Sequence, residues 1–169
     1  IVQVIKEIKA GKQVYALLAP SFVGQLGLKV APAQVVAALM KAGFTAVKEV
    51  AIGADLTACC EAKELMEKVP SEQKYMTSSC CPSFVNMIKK HVPAAESKIS
   101  QTVSPMVACG RYVKELNPEA VTVFIGPCIA KKGEAYANLD AIDYAMTFEE
   151  MSCLLAGADI EANKMQVDE

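Results

Sequence analysis

The 169-residue sequence contains no tryptophan, a single histidine and only 6% aromatic residues. Single-stranded nucleic acid binding needs stacking platforms over a basic groove, and the net charge of −2 supplies no such groove. Nucleic acid is therefore excluded as a partner. No apolar run reaches the ~18 residues that a membrane helix needs, so no membrane partner is expected. No signal-peptide pattern follows Ile1, and a cytoplasmic setting is expected. Ile1 also stands where an initiator methionine would, inside what reads as a helix already under way. The chain is accordingly expected to be a piece of a longer protein.

Cysteine is not scarce. Seven are present, at 59, 60, 80, 81, 109, 128 and 153. The number is odd and two pairs are adjacent, which argues against a disulfide framework and for metal or redox chemistry in a reducing compartment. Cys109 and Cys153 fall on helical patterns and are expected as small buried hydrophobes. The Cys59–Cys60 pair lacks short ligand spacing and is also expected in the core.

Hydrophobic residues make up 53% of the chain, enough for one α/β domain spanning residues 1–169. Val14 to Ala19, Ala46 to Ile52, Lys74 to Ser78, Val121 to Ile125 and Tyr144 to Met146 read as strands. Helices are expected over Ile1 to Ala10, Ala33 to Ala42, Leu56 to Val69 with Asp55 as cap, and from Pro82 toward Pro93. Three more are expected, from Ser104–Pro105 to Asn117, over Lys131 to Ala137, and over Phe148 to Ala156 with Thr147 as cap. This alternation predicts a largely parallel sheet of about four strands with helices on both faces. Ligands of open α/β sheets gather beyond the carboxyl ends of strands. Pro20–Ser21, Cys80–Cys81 and Pro127–Cys128 are all expected there.

Two turns carry the chemistry. In Thr77-Ser78-Ser79-Cys80-Cys81-Pro82-Ser83-Phe84 and in Gly126-Pro127-Cys128-Ile129-Ala130-Lys131-Lys132-Gly133-Glu134, cysteine precedes a helix, where the dipole and unpaired N–H groups favour thiolate. Adjacent side chains diverge, so one of Cys80 and Cys81 ligates while the other does something else. With Cys128 that makes two ligands, whereas a structural zinc or a 4Fe–4S cluster takes four. Cys128, Lys131 and Glu134 recur at i, i+3, i+6. They are either a site flank or an ordinary solvated helix face.

These stretches resemble the first and second cluster motifs of the FeFe-hydrogenase catalytic (H-cluster) domain, Thr-Ser-Cys-Cys-Pro-x-Trp and Met-Pro-Cys-x-x-Lys-x-x-Glu. Ala19-Pro20-Ser21, Gly53 to Thr57, Glu61–Ala62 and Ser104–Pro105 extend the resemblance along nearly the whole chain. The resemblance implies that the fold is one lobe of that domain and that Cys81 and Cys128 ligate a 4Fe–4S cubane. Cys80 would relay protons to the diiron subsite, with Glu134 the next carrier. Lys131 and Ser21 would hydrogen-bond iron-bound cyanides, and Pro20 and Pro105 would wall the pocket. It further implies reversible oxidation of dihydrogen, exchange of protons, and a ferredoxin or similar electron carrier. The remaining half of the catalytic domain would bring the other two cluster cysteines. This stretch alone is expected to hold no intact cluster and to be inactive. Gly126 stands at the methionine of the second motif, Phe84 at the tryptophan of the first, and one extra serine lies at Ser78–Ser79. Those departures point to a divergent branch, with a hydrogen sensor as an alternative to turnover. A non-enzymatic, Narf-like iron–sulfur assembly protein is the alternative, and the cysteine pair argues against it.

Overall fold

The computed structural model describes residues 1–167. Four parallel strands form its sheet: β1 (Val14–Leu18), β2 (Ala46–Glu49), β3 (Val121–Gly126) and β4 (Tyr144–Thr147), in the order β2-β1-β3-β4. Helices flank the sheet on both faces, as the alternation predicts. β1 and β3 lie at its centre, and nearly every residue in them is inaccessible. Strands buried on two sides read as continuous apolar runs, which is why Val121 to Ile125 was so legible.

The helices are α1 (Val2–Lys9), α2 (Pro32–Lys41), α3 (Ala51–Lys68), α4 (Pro82–His91), α5 (Pro105–Leu116), α6 (Ala130–Tyr136) and α7 (Phe148–Gly157). Proline occupies the first turn of α2, α4 and α5, where its missing N–H costs no hydrogen bond. Short 3-10 turns cover Pro20–Phe22, Pro93–Lys98 and Ala162–Lys164. Among the described residues, no helix is long and apolar enough to cross a membrane.

The structure corrects four expectations. Lys74 to Ser78 is no strand of the sheet: it contributes one parallel bridge, Thr77 to Ile99, because no strand edge lies beside it. β2 stops at Glu49, and α3 begins at once from Val50 with no side-chain cap. Asp55 therefore sits exposed within the helix rather than capping it. The third correction is Cys59–Cys60, exposed because the buried face of α3 runs through Gly53 and Thr57. Cys153 is the fourth, exposed on α7, whose buried side carries Met151, Leu154 and Leu155. Cys109 is buried as expected.

Gly53 brings α3 close against α5. A Cβ there would fall 2.1 Å from the Pro105 carbonyl oxygen and 2.8 Å from the Cys109 nitrogen. Only glycine permits that approach. The start of α5 is thereby held against the start of α3, at the carboxyl edge of β2.

Candidate functional site

All four strands are parallel, so their carboxyl ends open on one edge. β1 leads through α2 to β2 on one side, while β3 leads through α6 to β4 on the other. The chain thus diverges between β1 and β3, and such a switch point leaves a crevice beyond the strand ends. Pro20 and Ser21 flank it after β1, and Pro127 and Cys128 after β3. The two turns are tied by the backbone, since Ala19 N–H donates to the Ile125 carbonyl at 2.8 Å. Pro105 reaches the same edge through its contact with Gly53.

Cys80 and Cys81 reach it without a strand of the sheet, which corrects the expectation that both cysteine turns end sheet strands. They are carried by side chains instead. Lys131 Nζ donates to the Cys80 carbonyl at 3.0 Å and pairs with Glu134 Oε2 at 2.6 Å. Only 13% of the Lys131 side chain and 15% of the Glu134 side chain are exposed. A lysine this enclosed, holding a peptide oxygen 51 residues upstream, is not a solvated helix face. The Lys131–Glu134 spacing is therefore read as a clamp. Cys81 is the N-cap residue of α4, Cys128 is half-buried, and Cys80 and Cys81 are exposed.

A second group of carboxylates holds the same segment from the other side. Glu61 Oε1 accepts from the Ser78 hydroxyl at 2.9 Å and from Ser79 N–H at 3.1 Å. One turn along α3, Glu64 accepts from Ser100 Oγ at 2.6 Å, Gln101 N–H at 3.1 Å, Thr102 Oγ1 at 3.2 Å and Lys68 Nζ at 2.7 Å. Ser79 Oγ closes the loop by donating to the Thr102 carbonyl. Burial works to raise the Glu64 carboxyl, but the donors from Lys68, Ser100 and Gln101 outweigh it and hold it at about 2. The sequence reading gave neither carboxylate a role, although Glu61 lay within the resemblance. The available signal was a carboxylate pair at i, i+3, with Lys68 four residues beyond Glu64 and a run of hydroxyl residues near 100.

Between these supports lies an open cavity of about 680 Å³. Ser79, Pro82, Ser104, Ala130, Gly133 and Glu134 are among the residues that line it, and none of Pro20, Ser21, Cys80, Cys81 and Cys128 is. Buried Cys109 does not take part: burial pushes its thiol up to about 11, so it is a core residue rather than a ligand. Among the described residues, no cluster of three or more histidine, cysteine or acidic side chains could enclose a metal ion. Cys81 and Cys128 are both free thiols, a chemistry that fits iron ligation, and two thiolates are half of a four-thiolate set.

Comparison with known proteins bears on this edge. The family described as iron only hydrogenase large subunit, C-terminal domain, matches residues 12–169. The chain is 30% identical over 147 residues to iron hydrogenase 1 of Clostridium pasteurianum, covering 78% of this chain and 26% of that protein. It is 27% identical over 188 residues to the periplasmic Fe hydrogenase large subunit of Nitratidesulfovibrio vulgaris, covering 96% and 45%. A variant of apo FeFe-hydrogenase HydA1 from Chlamydomonas reinhardtii shares the fold with a TM-score of 0.88 at 24% identity, over 99% of this chain and 50% of that one. The chain spans half or less of each of these relatives. With the family match running unbroken from residue 12 through both cysteine turns, the chain belongs to the C-terminal-domain family of iron-only hydrogenase large subunits.

Proposed function

We propose that this chain is the lobe of an FeFe-hydrogenase catalytic domain that supplies half the thiolate ligands of the H-cluster and its proton entry. The observation that carries the reading is the Lys131 bond to the Cys80 carbonyl, which draws the two cysteine turns to one rim. Cys81 and Cys128 would hold two corners of a 4Fe–4S cubane. The diiron group, when bound, supplies the redox chemistry that interconverts dihydrogen with protons and electrons.

The protein's part is to orient, exclude water and move protons. Lys131 and Ser21 would donate to anionic cyanide ligands, and Pro20 and Pro105 would close the apolar side. Cys80 would hand protons on, with Glu134 as a carrier toward the cavity it lines. Glu61 and Glu64 would hold the segment that carries Cys80 in place, through Ser78 and Ser79 on one side and Ser100 to Thr102 on the other.

The remaining half of the catalytic domain would complete the ligand set. Val23, Leu28 and Ile129, all more than half exposed beside the crevice, support a covering of that kind. A ferredoxin or similar carrier would take the electrons. Seven free cysteines, five of them exposed, support a reducing, cytoplasmic setting. The periplasmic name of one relative makes fractionation of cells the direct check.

Infrared spectroscopy of the full-length parent is the deciding experiment. Bands from iron-bound carbonyl and cyanide are expected. A cubane without those bands would transfer the protein to the iron–sulfur assembly class. The 169-residue chain alone should contain less than one cubane of iron and acid-labile sulfide and show no hydrogen turnover; a full cubane per chain would refute that part.

A further inference from the structure

Cys80 and Cys81 are neighbours, yet different means fix their backbones. The Cys81 carbonyl accepts from Val85 N–H at 3.0 Å, the first helical bond of α4. Cys80 precedes the helix, and side chains hold both of its polar backbone groups. Its N–H donates to Ser78 Oγ at 3.3 Å, and its carbonyl accepts from Lys131 Nζ at 3.0 Å. These two groups belong to the peptide planes on either side of the Cys80 Cα. Holding both planes fixes φ, ψ and with them the direction of the Cα–Cβ bond. The sulfur is left rotation about that one bond.

A serine that bonds the N–H two residues on is ordinary turn chemistry. Its further partner is not local: the Ser78 hydroxyl donates to Glu61 Oε1 at 2.9 Å, 17 residues upstream on α3. A hydroxyl has one proton and two lone pairs, so committing the proton to Glu61 leaves lone pairs to face the Cys80 N–H. The carboxylate also polarises the hydroxyl and strengthens it as an acceptor. Ser79 does a different job, since its hydroxyl donates to the Thr102 carbonyl and ties the segment to the stretch leading into α5. We propose that Ser78 is a positioning residue for the Cys80 thiol, with Glu61 setting its hydroxyl and Lys131 holding the opposite peptide. The two adjacent serines thus divide the tasks of aiming and anchoring. This deepens the reading of Cys80 as the group that hands protons on. It rests on that reading for its function alone, because the pinning is geometry of this chain.

The test is amide exchange in the full-length protein without its diiron group, read residue by residue. Ser78 is exposed, so replacing it leaves the core intact. Ser78→Ala should speed exchange at Cys80 roughly five-fold, the equivalent of one hydrogen bond, and leave Gln101 and Thr102 unchanged. Ser78→Thr, which keeps the hydroxyl, should restore the slow rate. Ser79→Ala should loosen Gln101 and Thr102 together with Cys80; the same pattern from both alanine variants would overturn the division of tasks. An unchanged Cys80 amide in Ser78→Ala, a rise shared by all of residues 77–103, or no recovery in Ser78→Thr overturns the pinning. The second readout is hydrogen turnover by the loaded protein. Ser78→Ala should lower kcat several-fold with the infrared carbonyl and cyanide bands unmoved, and Ser78→Thr should recover it. An unchanged kcat overturns the positioning role, and so do shifted bands, which would trace the loss to the cluster's surroundings. If the unsubstituted protein turns over no hydrogen, the functional reading fails, while amide exchange still decides whether Ser78 holds Cys80.

Discussion

The strands around β1 and β3 and the segment from Pro70 to Val103 are held by opposite means. In the first, Val14, Ala16, Leu17, Leu18, Val123 and Ile125 have no accessible surface, and parallel ladders satisfy the backbone. In the second, only Ile88 and Ser100 are buried, and Ile88 lies outside the main core cluster. That segment carries Cys80 and Cys81, yet its order comes from one bridge, two α3 carboxylates and Lys131. Burial is indifferent to pH, whereas charge-assisted hydrogen bonds are not. The scaffold of the site and the site itself should therefore fail separately.

The sharpest break is in the sheet. Leu17→Ala removes a wholly buried side chain between β2 and β3 and should cost about 2–5 kcal/mol. Urea unfolding of the protein should show that loss in the global transition, with amide protection falling in β1 and β3 alike. Loss confined to residues 70–103 would mean that the two regions are not divided as described.

The next effect belongs to the segment. With its folded carboxyl held at about 2 against an ordinary 4.5, Glu64 contributes stability that is complete above 4.5. That contribution drains away as pH falls through about 2. Its size is on the order of 2 kcal/mol, and its loss should appear as faster amide exchange at Gln101 and Thr102. Glu64→Gln should give that looser segment already at neutral pH and flatten the acid response between 4.5 and 2. An unchanged acid response in the variant would assign the pH dependence elsewhere.

This contrast also explains what was legible in the sequence. The sheet announces itself through apolar runs, and the helix starts through Pro32, Pro82 and Pro105, because burial and fixed backbone angles are properties of local sequence. Thr147 was legible as a cap for the same reason. The cysteine turns stood out by residue type and spacing. Lys74 to Ser78 looked like a strand because propensity says nothing about whether a partner edge exists. Cys59–Cys60 looked like core because α3 buries its small residues, Gly53 and Thr57, instead of its larger ones. Glu61 and Glu64 resembled a solvated face, since their partners lie 17 to 38 residues away in an irregular stretch. Partners at that distance are set by tertiary structure, and no local period reports them.

The mildest test asks whether one polar contact matters equally in the two regions. Thr147 ends β4 and caps α7 reciprocally: its hydroxyl accepts from Glu150 N–H at 3.2 Å, and Glu150 Oε2 accepts from Thr147 N–H at 2.7 Å. Glu150 also pairs with Lys132 at 2.5 Å, which links α6 to α7. Here the neighbours Met146, Phe148 and Met151 are buried, so the helix end stays seated when the cap is lost. Thr147→Ala should therefore cost about 1 kcal/mol in the global unfolding transition and leave amide exchange at Cys80 and Cys81 unchanged. In the segment, loss of one carboxylate removes several bonds with little burial beneath them. A Thr147→Ala variant that loosened the cysteine turns would show that α6 carries strain from its far end into the Lys131 clamp, and that scaffold and site are one cooperative unit.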